Sequence, residues 1–256
     1  MNKDLKMKVK IFGDSFADNT RNGSPDFYSR SWPSLLAKEK FLQVENYSRA
    51  GSGLHWSFNQ CLQNSQDCDK IIFVGSHYYR WYLHESFHNQ VPENGHHVMS
   101  AGGNPDLNTT HNKAVDAAMK FQLYFGNREF EYNSTAVYYQ YLRHLFGKDI
   151  LILQATNFPQ EPVKDIPLQL DTDNQITLQD ISRHEDDYIF VNKHKHPDVR
   201  GNMDYDARNC HITHWHSAML YDKILNWLAG KEFSLTKKDL LRLNKQEASR
   251  MYCIKW

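Results

Sequence analysis

The run Val9-Lys10-Ile11-Phe12 ends in Gly13-Asp14-Ser15, and that serine is the residue of the chain with the clearest chemical use. A short β-branched run closed by Gly-Asp-Ser places a serine on a sharp turn at the carboxyl end of a first strand. Ligands and chemistry gather at that edge of an open α/β sheet. A serine hydroxyl is a weak nucleophile until a base takes its proton. The chain holds 14 histidines, whose rings titrate near neutral pH and can serve as that base. A strand-to-helix turn also leaves backbone N–H groups for a developing oxyanion. Together these parts would perform acyl transfer. The same residues also make a plain turn, with Ser15 as a helix cap. Asp14 has the chemistry of an acid or a metal ligand, but a brace on its own turn through backbone hydrogen bonds is the simpler reading. His194, His196, His211, His214 and His216, with Asp204 and Asp206, are adequate ligand types for a metal. Their spacing matches no zinc signature, and no metal is assigned.

These residues need a scaffold, and the pattern of apolar runs supplies one. Met7 to Phe12, Leu42 to Asn46, Lys70 to Val74 and Asp149 to Leu153 read as strands, the third apolar enough to be buried on both faces. Ser31-Trp32-Pro33-Ser34 opens a helix whose apolar face is Leu35, Leu36 and Ala37. Leu54 to Leu62 reads as a second helix. Ala114 to Tyr124 and Ser134 to Phe146 follow, the latter with Leu142 and Leu145 on one face. Thr213 to Leu228 is strongly periodic, and another helix falls near Thr236 to Ala248. Tyr78-Tyr79-Arg80-Trp81-Tyr82 reads as a packed helix start, with a stacking surface for a sugar or acyl group as the other use. Phe121, Tyr124, Phe125, Tyr138, Tyr139 and Tyr141 recur at helical spacing and read as core or lid packing. Strands alternating with helices predict a three-layer α/β/α domain with a mainly parallel sheet, flavodoxin-like. One domain spans 1–256, with irregular insertions at about 84–112 and 157–201 and a helical tail at about 231–256.

Composition narrows the function classes. Lys+Arg and Asp+Glu both number 30, so a zero net charge argues against a polyanion or an anionic membrane surface as partner. A hydrophobic share of 40% is that of a globular chain. No apolar run approaches the roughly 20 residues of a membrane helix. The first residues, Met1-Asn2-Lys3-Asp4, carry no apolar signal core, which predicts a cytoplasmic protein. Cys61, Cys68, Cys210 and Cys253 form no Cys-x-x-Cys pair, and in a reducing compartment they are free thiols.

Three segments in order resemble the SGNH/GDSL hydrolase family: Ile11-Phe12-Gly13-Asp14-Ser15-Phe16, then Ser31-Trp32-Pro33-Ser34-Leu35-Leu36-Ala37, then Val44-Glu45-Asn46-Tyr47-Ser48-Arg49-Ala50-Gly51-Ser52-Gly53. A fourth is Cys210-His211-Ile212-Thr213, leading into the last core helix. The resemblance implies an SGNH-type fold and a serine ester hydrolase working through an acyl-enzyme without a cofactor. It implies Ser15 as nucleophile, His211 as general base ahead of its neighbours His214 and His216, and the amides of Ser15 and Gly51 in the oxyanion hole. Two positions depart from the family. The acid three residues before the histidine is Arg208 here, leaving Asp206 or Asp204 to orient the ring, with Asp206 preferred. The family's third oxyanion donor, an Asn, is replaced by His77 in Gly75-Ser76-His77-Tyr78. Asn46 is placed to tie the second-block loop. The expected substrate is a small-molecule or glycan ester, with a carbohydrate O-acetyl ester preferred because the 86–112 stretch is polar and no long apolar stripe is present. The rival reading is a catalytically silent binding or structural protein on the same fold, with His77 and Arg208 as its marks.

Overall fold

A computed structural model of the chain describes residues 6–19, 31–49, 52–76, 80–82, 98–100, 128–155, 170–174, 176–178, 212, 214–236 and 239, with backbone alone at 80–82, 98–100, 128–131, 214 and 215. The elements are β1 (Met7–Phe12), α1 (Trp32–Ala37), β2 (Leu42–Asn46), α2 (Leu54–Asn64), β3 (Lys70–Gly75), β4 (Arg80–Tyr82), β5 (Val98–Ser100), α3 (Arg128–Phe146), β6 (Ile150–Gln154) and α4 (His214–Leu228). Among the described residues, four strands form one parallel sheet in the order β2-β1-β3-β6.

This order dictates where the helices lie. Crossovers between parallel strands are right-handed. The step from β1 to β2 runs one way along the sheet, and the step from β2 back past β1 to β3 runs the other. Their helices therefore cover opposite faces. Side-chain alternation along the strands shows the result. Val9, Ile11, Ile72, Val74, Leu151 and Leu153 pack with Trp32 and Leu36 of α1 and with Leu220 and Ile224 of α4. Phe12, Ile71, Phe73, Ile150 and Ile152 face the other way, onto Leu54, Phe58 and Cys61 of α2 and Tyr139 and Leu142 of α3. The architecture is the expected three-layer α/β/α.

Lys10 interrupts the apolar run of β1 and still points inward. Its stem lies along the α2 face, and its ammonium donates to the carbonyls of Asn64 and Gln66 at the end of α2, 2.8 Å each. A cation there complements the carbonyl end of the helix.

Several local expectations are corrected. Arg80–Tyr82 is not a helix start but a strand, paired antiparallel with Val98–Ser100 inside the stretch expected to be irregular. Leu145 does not join Leu142 in the core: it is 45% exposed, as Tyr141 is at 47%. The helix presents Thr135, Tyr139 and Leu142 to the sheet and turns Tyr141 and Leu145 away. Ala37 is exposed too, since Trp32, Pro33 and Leu36 supply the buried face of α1. Asp149 belongs to a 3₁₀ turn before β6, and β3 runs on to Gly75. Cys61 and Cys68 are free thiols. Most of the two expected insertions, the 114–124 helix and the tail beyond 239 lie outside the described residues. Among the described residues no helix is long and apolar enough to cross a membrane.

Candidate active site

Asp14 begins the site. The amides of Ala17 and Asp18 both donate to its carbonyl, at 3.0 and 2.9 Å, winding Asp14 to Asp18 into one helical turn at the end of β1. Its carboxylate accepts from the Phe16 amide at 3.0 Å and is fully buried, so it braces the turn as expected. Ser15 rides on this turn at 8% exposure. Gly13 precedes it because nothing larger fits: a Cβ there would stand 2.7 Å from the Val74 Cβ and 3.1 Å from the Val74 carbonyl oxygen. A close approach of backbone to a neighbouring strand is what glycine permits.

The three sequence blocks meet at this turn. Trp32 donates its indole N–H to the Phe16 carbonyl at 2.9 Å, so the Trp-Pro helix is bolted to the Ser15 turn. Asn46 donates to the Ala17 carbonyl at 2.8 Å and to Asn19 Oδ1 at 3.1 Å, while its own Oδ1 accepts from the Ser48 amide at 2.9 Å. One side chain thus joins the two loops, as its place in the sequence predicts. The Gly13 carbonyl then receives the Arg49 amide and the Ser52 hydroxyl, both at 3.0 Å. The second-block loop is docked onto the first through residues on either side of Gly51.

The sheet explains why this corner is open to chemistry. From β1 the chain turns to β2 on one side, while β3 lies on the other, so the carboxyl ends of β1 and β3 flank a topological switch point, where doubly wound sheets hold their ligands. Ser15 follows β1 there, and Ser76 follows β3, fully buried.

Ser15 is the one proposed participant among the described residues. Gly51, His77, Asp206 and His211 lie outside them, as do Asp204 and Arg208. Their described chain neighbours are placed: Ser52 on the Gly13 carbonyl, Ser76 at the end of β3, and Ile212 buried in the cluster under α4. His216, a rival for the base, is fully buried on α4.

Sequence reasoning passed over two residues beneath the site. Tyr139 of α3 is fully buried against β3, its ring edge-on to Phe73 at 6.1 Å between centroids. Its hydroxyl donates to Gln154 Oε1 at the end of β6. Burial, and after it the charge of Asp14, push the Tyr139 phenol up from its ordinary value. Helical spacing marked Tyr139 as a packing residue, and nothing in residue type or spacing marks Gln154.

No family model matches the chain, and no curated protein matches it. Among solved structures, it is similar to a G-D-S-L family protein from Desulfitobacterium hafniense DCB-2, at 21% identity over 27% of this chain, with a TM-score of 0.22. That match spans only 39% of the other protein. A lipolytic G-D-S-L family member from Veillonella parvula DSM 2008 is 11% identical over 86% of this chain and 97% of its own, with a TM-score of 0.37. The acetyl xylan esterase AlAXEase is 12% identical over 86% and 98%, also with a TM-score of 0.37. It is in its sequence blocks that the chain resembles the SGNH/GDSL hydrolases. Against the SGNH/GDSL pattern, the Gly-Asp-Ser turn, the Trp-Pro helix and the Asn46 loop are assembled as one unit, and the departures are His77 and Arg208.

Proposed function

We propose that the chain is a serine ester hydrolase of the SGNH/GDSL kind, acting on O-acetyl esters of carbohydrates. The observation that supports this most is the place of Ser15, on a braced turn at the switch point of the sheet with the second-block loop docked on the carbonyl of Gly13. In the proposed reaction the His211 ring takes the Ser15 Oγ proton as that oxygen attacks the ester carbonyl carbon. The carbonyl oxygen becomes an oxyanion, held by the amides of Ser15 and Gly51 and a ring N–H of His77. Collapse of the adduct breaks the ester C–O bond. The sugar hydroxyl leaves with the proton from His211, and the acyl group stays on Ser15. A water molecule, deprotonated by His211, releases the acid and returns the proton to Ser15. Asp206 fixes the imidazole tautomer and stabilises its cation. The mechanism calls for no cofactor.

His77 and Arg208 favour a second reading, a catalytically silent binding or structural protein on this fold. Loss of one oxyanion donor costs roughly 10²–10³-fold in rate, so a histidine that does not donate would leave little activity. A fluorophosphonate probe separates the two. Covalent labelling of the native chain, abolished in Ser15→Ala, is the expected result. An unlabelled native chain that binds an acetylated glycan would overturn the hydrolase in favour of the binding protein.

A further inference from the structure

Two strand ends meet at one buried hydroxyl. Gly75 closes β3 opposite Gln154 of β6 in the parallel register, and the Ala155 amide donates to the Gly75 carbonyl at 2.9 Å. A Cβ on Gly75 would overlap the Tyr139 hydroxyl outright and stand 2.6 Å from its Cζ, so the phenol lies directly against the backbone of that residue. The hydroxyl is not loose in this position, because it donates to the Gln154 side chain. Gln154 is itself clamped: its amide donates to Asn174 Oδ1 at 2.8 Å, and its carbonyl accepts from Asn174 Nδ2 at 3.0 Å. The Asp14 carboxylate, brace of the Ser15 turn, acts on the same phenol through its charge. Tyr139 therefore lies against the last residue of β3 and is tied to the end of β6.

We propose that Tyr139 is a positioning residue: its hydroxyl, held by Gln154, is the floor under Gly75 and sets where the end of β3 stands relative to the Ser15 turn. Its catalytic consequence rests on the reading of Ser15 as nucleophile and of position 77, two residues beyond Gly75, as an oxyanion donor. Catalytic groups misplaced by a fraction of the distance to a reacting atom lose rate without losing substrate. A phenol that only fills space would act on stability instead.

Tyr139→Phe keeps the ring and removes the hydrogen bond, and Gln154→Met removes it from the other side. With p-nitrophenyl acetate as substrate, each variant is expected to lower kcat by roughly tenfold to a hundredfold, with KM unchanged. Because both delete one interaction, the double variant should be little worse than either single one. In ¹⁵N spectra the amides of Ser76 and Ser15 should shift in both variants. A fall in melting temperature with kcat and those amide shifts unchanged would overturn the proposal. Should fluorophosphonate leave the native chain unlabelled, the hydrolase reading fails by itself. The Ser76 and Ser15 amides then decide the positioning role: movement in Tyr139→Phe supports it, and shifts confined to α3 and Gln154 sink it. If Tyr139→Phe does not fold, Gln154→Met reads the same bond.

Discussion

At the scale of single residues, Gly13 meets a tight steric demand beside the Ser15 turn. The space its missing Cβ would need is taken by Val74, on a strand that is buried throughout beyond Lys70. Gly13→Ala is expected to lower stability by about 1–3 kcal/mol, as overpacking of a close-packed interior does. Urea denaturation measures this, and fluorophosphonate labelling of Ser15 should slow in the same variant, since the turn must shift to relieve the contact. Unchanged stability would mean that Val74 yields without cost. Asp14 and Asn46 were recognisable from their places in the sequence, because short polar side chains beside a turn hydrogen-bond the nearby backbone. The partners of Asn46 were not: the Ala17 carbonyl lies 29 residues away and is brought there by the pairing of β1 with β2. Tyr139 was visible only as an aromatic residue at helical spacing, since a phenol's hydrogen-bond partner leaves no mark in the local pattern.

At the scale of elements, the edge of β6 away from β3 is covered, among the described residues, by the segment around Asp173 and Asn174. The Ile152 amide donates to Asp173 Oδ2 at 2.7 Å and the Gln154 amide to Asn174 Oδ1, while the Asp173 amide donates to the Ile152 carbonyl at 2.9 Å, so side chains and one backbone bond together stand in for a neighbouring ladder. Arg143 of α3 holds this cap, donating to Asp173 Oδ2 at 2.9 Å and to the Ile150 carbonyl at 2.8 Å. Arg143→Met keeps the stem and is expected to cost about 1–3 kcal/mol in chemical denaturation, the range for hydrogen bonds to charged groups and for buried groups left unmet. An exposed strand edge also templates association, so this variant should aggregate more readily on heating, as light scattering would record. A second element-scale test concerns the tail. Asp239 accepts from the Thr236 amide at 2.8 Å and pairs with Lys223 of α4 at 3.0 Å, the acidic half of a capping box at the start expected for the 236–248 helix. Burial alone would push the Asp239 carboxyl up, but the Thr236 amide and the Lys223 ammonium outweigh it and hold it below the usual carboxylate range. A carboxyl lowered in the fold stabilises the fold above its unfolded value of about 4, and that contribution is lost as the pH falls through its folded value. The melting-temperature gap between the native chain and Asp239→Asn should therefore be constant from neutral pH down to the onset of titration and close below it. A gap independent of pH across that window would show that the pair contributes nothing through charge. Strands and helices were legible as elements because each buries an apolar face of the right period. Arg80–Tyr82 escaped because its aromatic run has no period, and its strand character comes from pairing with 98–100, a segment that local patterning cannot connect to it.

For the whole molecule, equal numbers of acidic and basic side chains leave no net repulsion between copies at neutral pH. Solubility is expected to pass through a minimum near pH 7 and to rise on either side, read as the polyethylene glycol concentration at half precipitation. A profile rising steadily through neutrality would show that the surface carries a net charge that the formal count misses. Other properties divide cleanly between sequence and fold. The amino-acid sequence by itself determined the α/β class, a serine at the exit of the first strand and the blocks that resemble SGNH/GDSL hydrolases, because periodicity and turn chemistry act over a few neighbouring residues. Only the tertiary structure decided the strand order β2-β1-β3-β6, the switch point beside Ser15, the convergence of Trp32, Asn46 and Ser52 on one turn, and the phenol beneath Gly75. Those depend on contacts between residues dozens of positions apart, formed when two faces of one sheet bury their side chains at the same time, and no local pattern records which distant partner will fill the space.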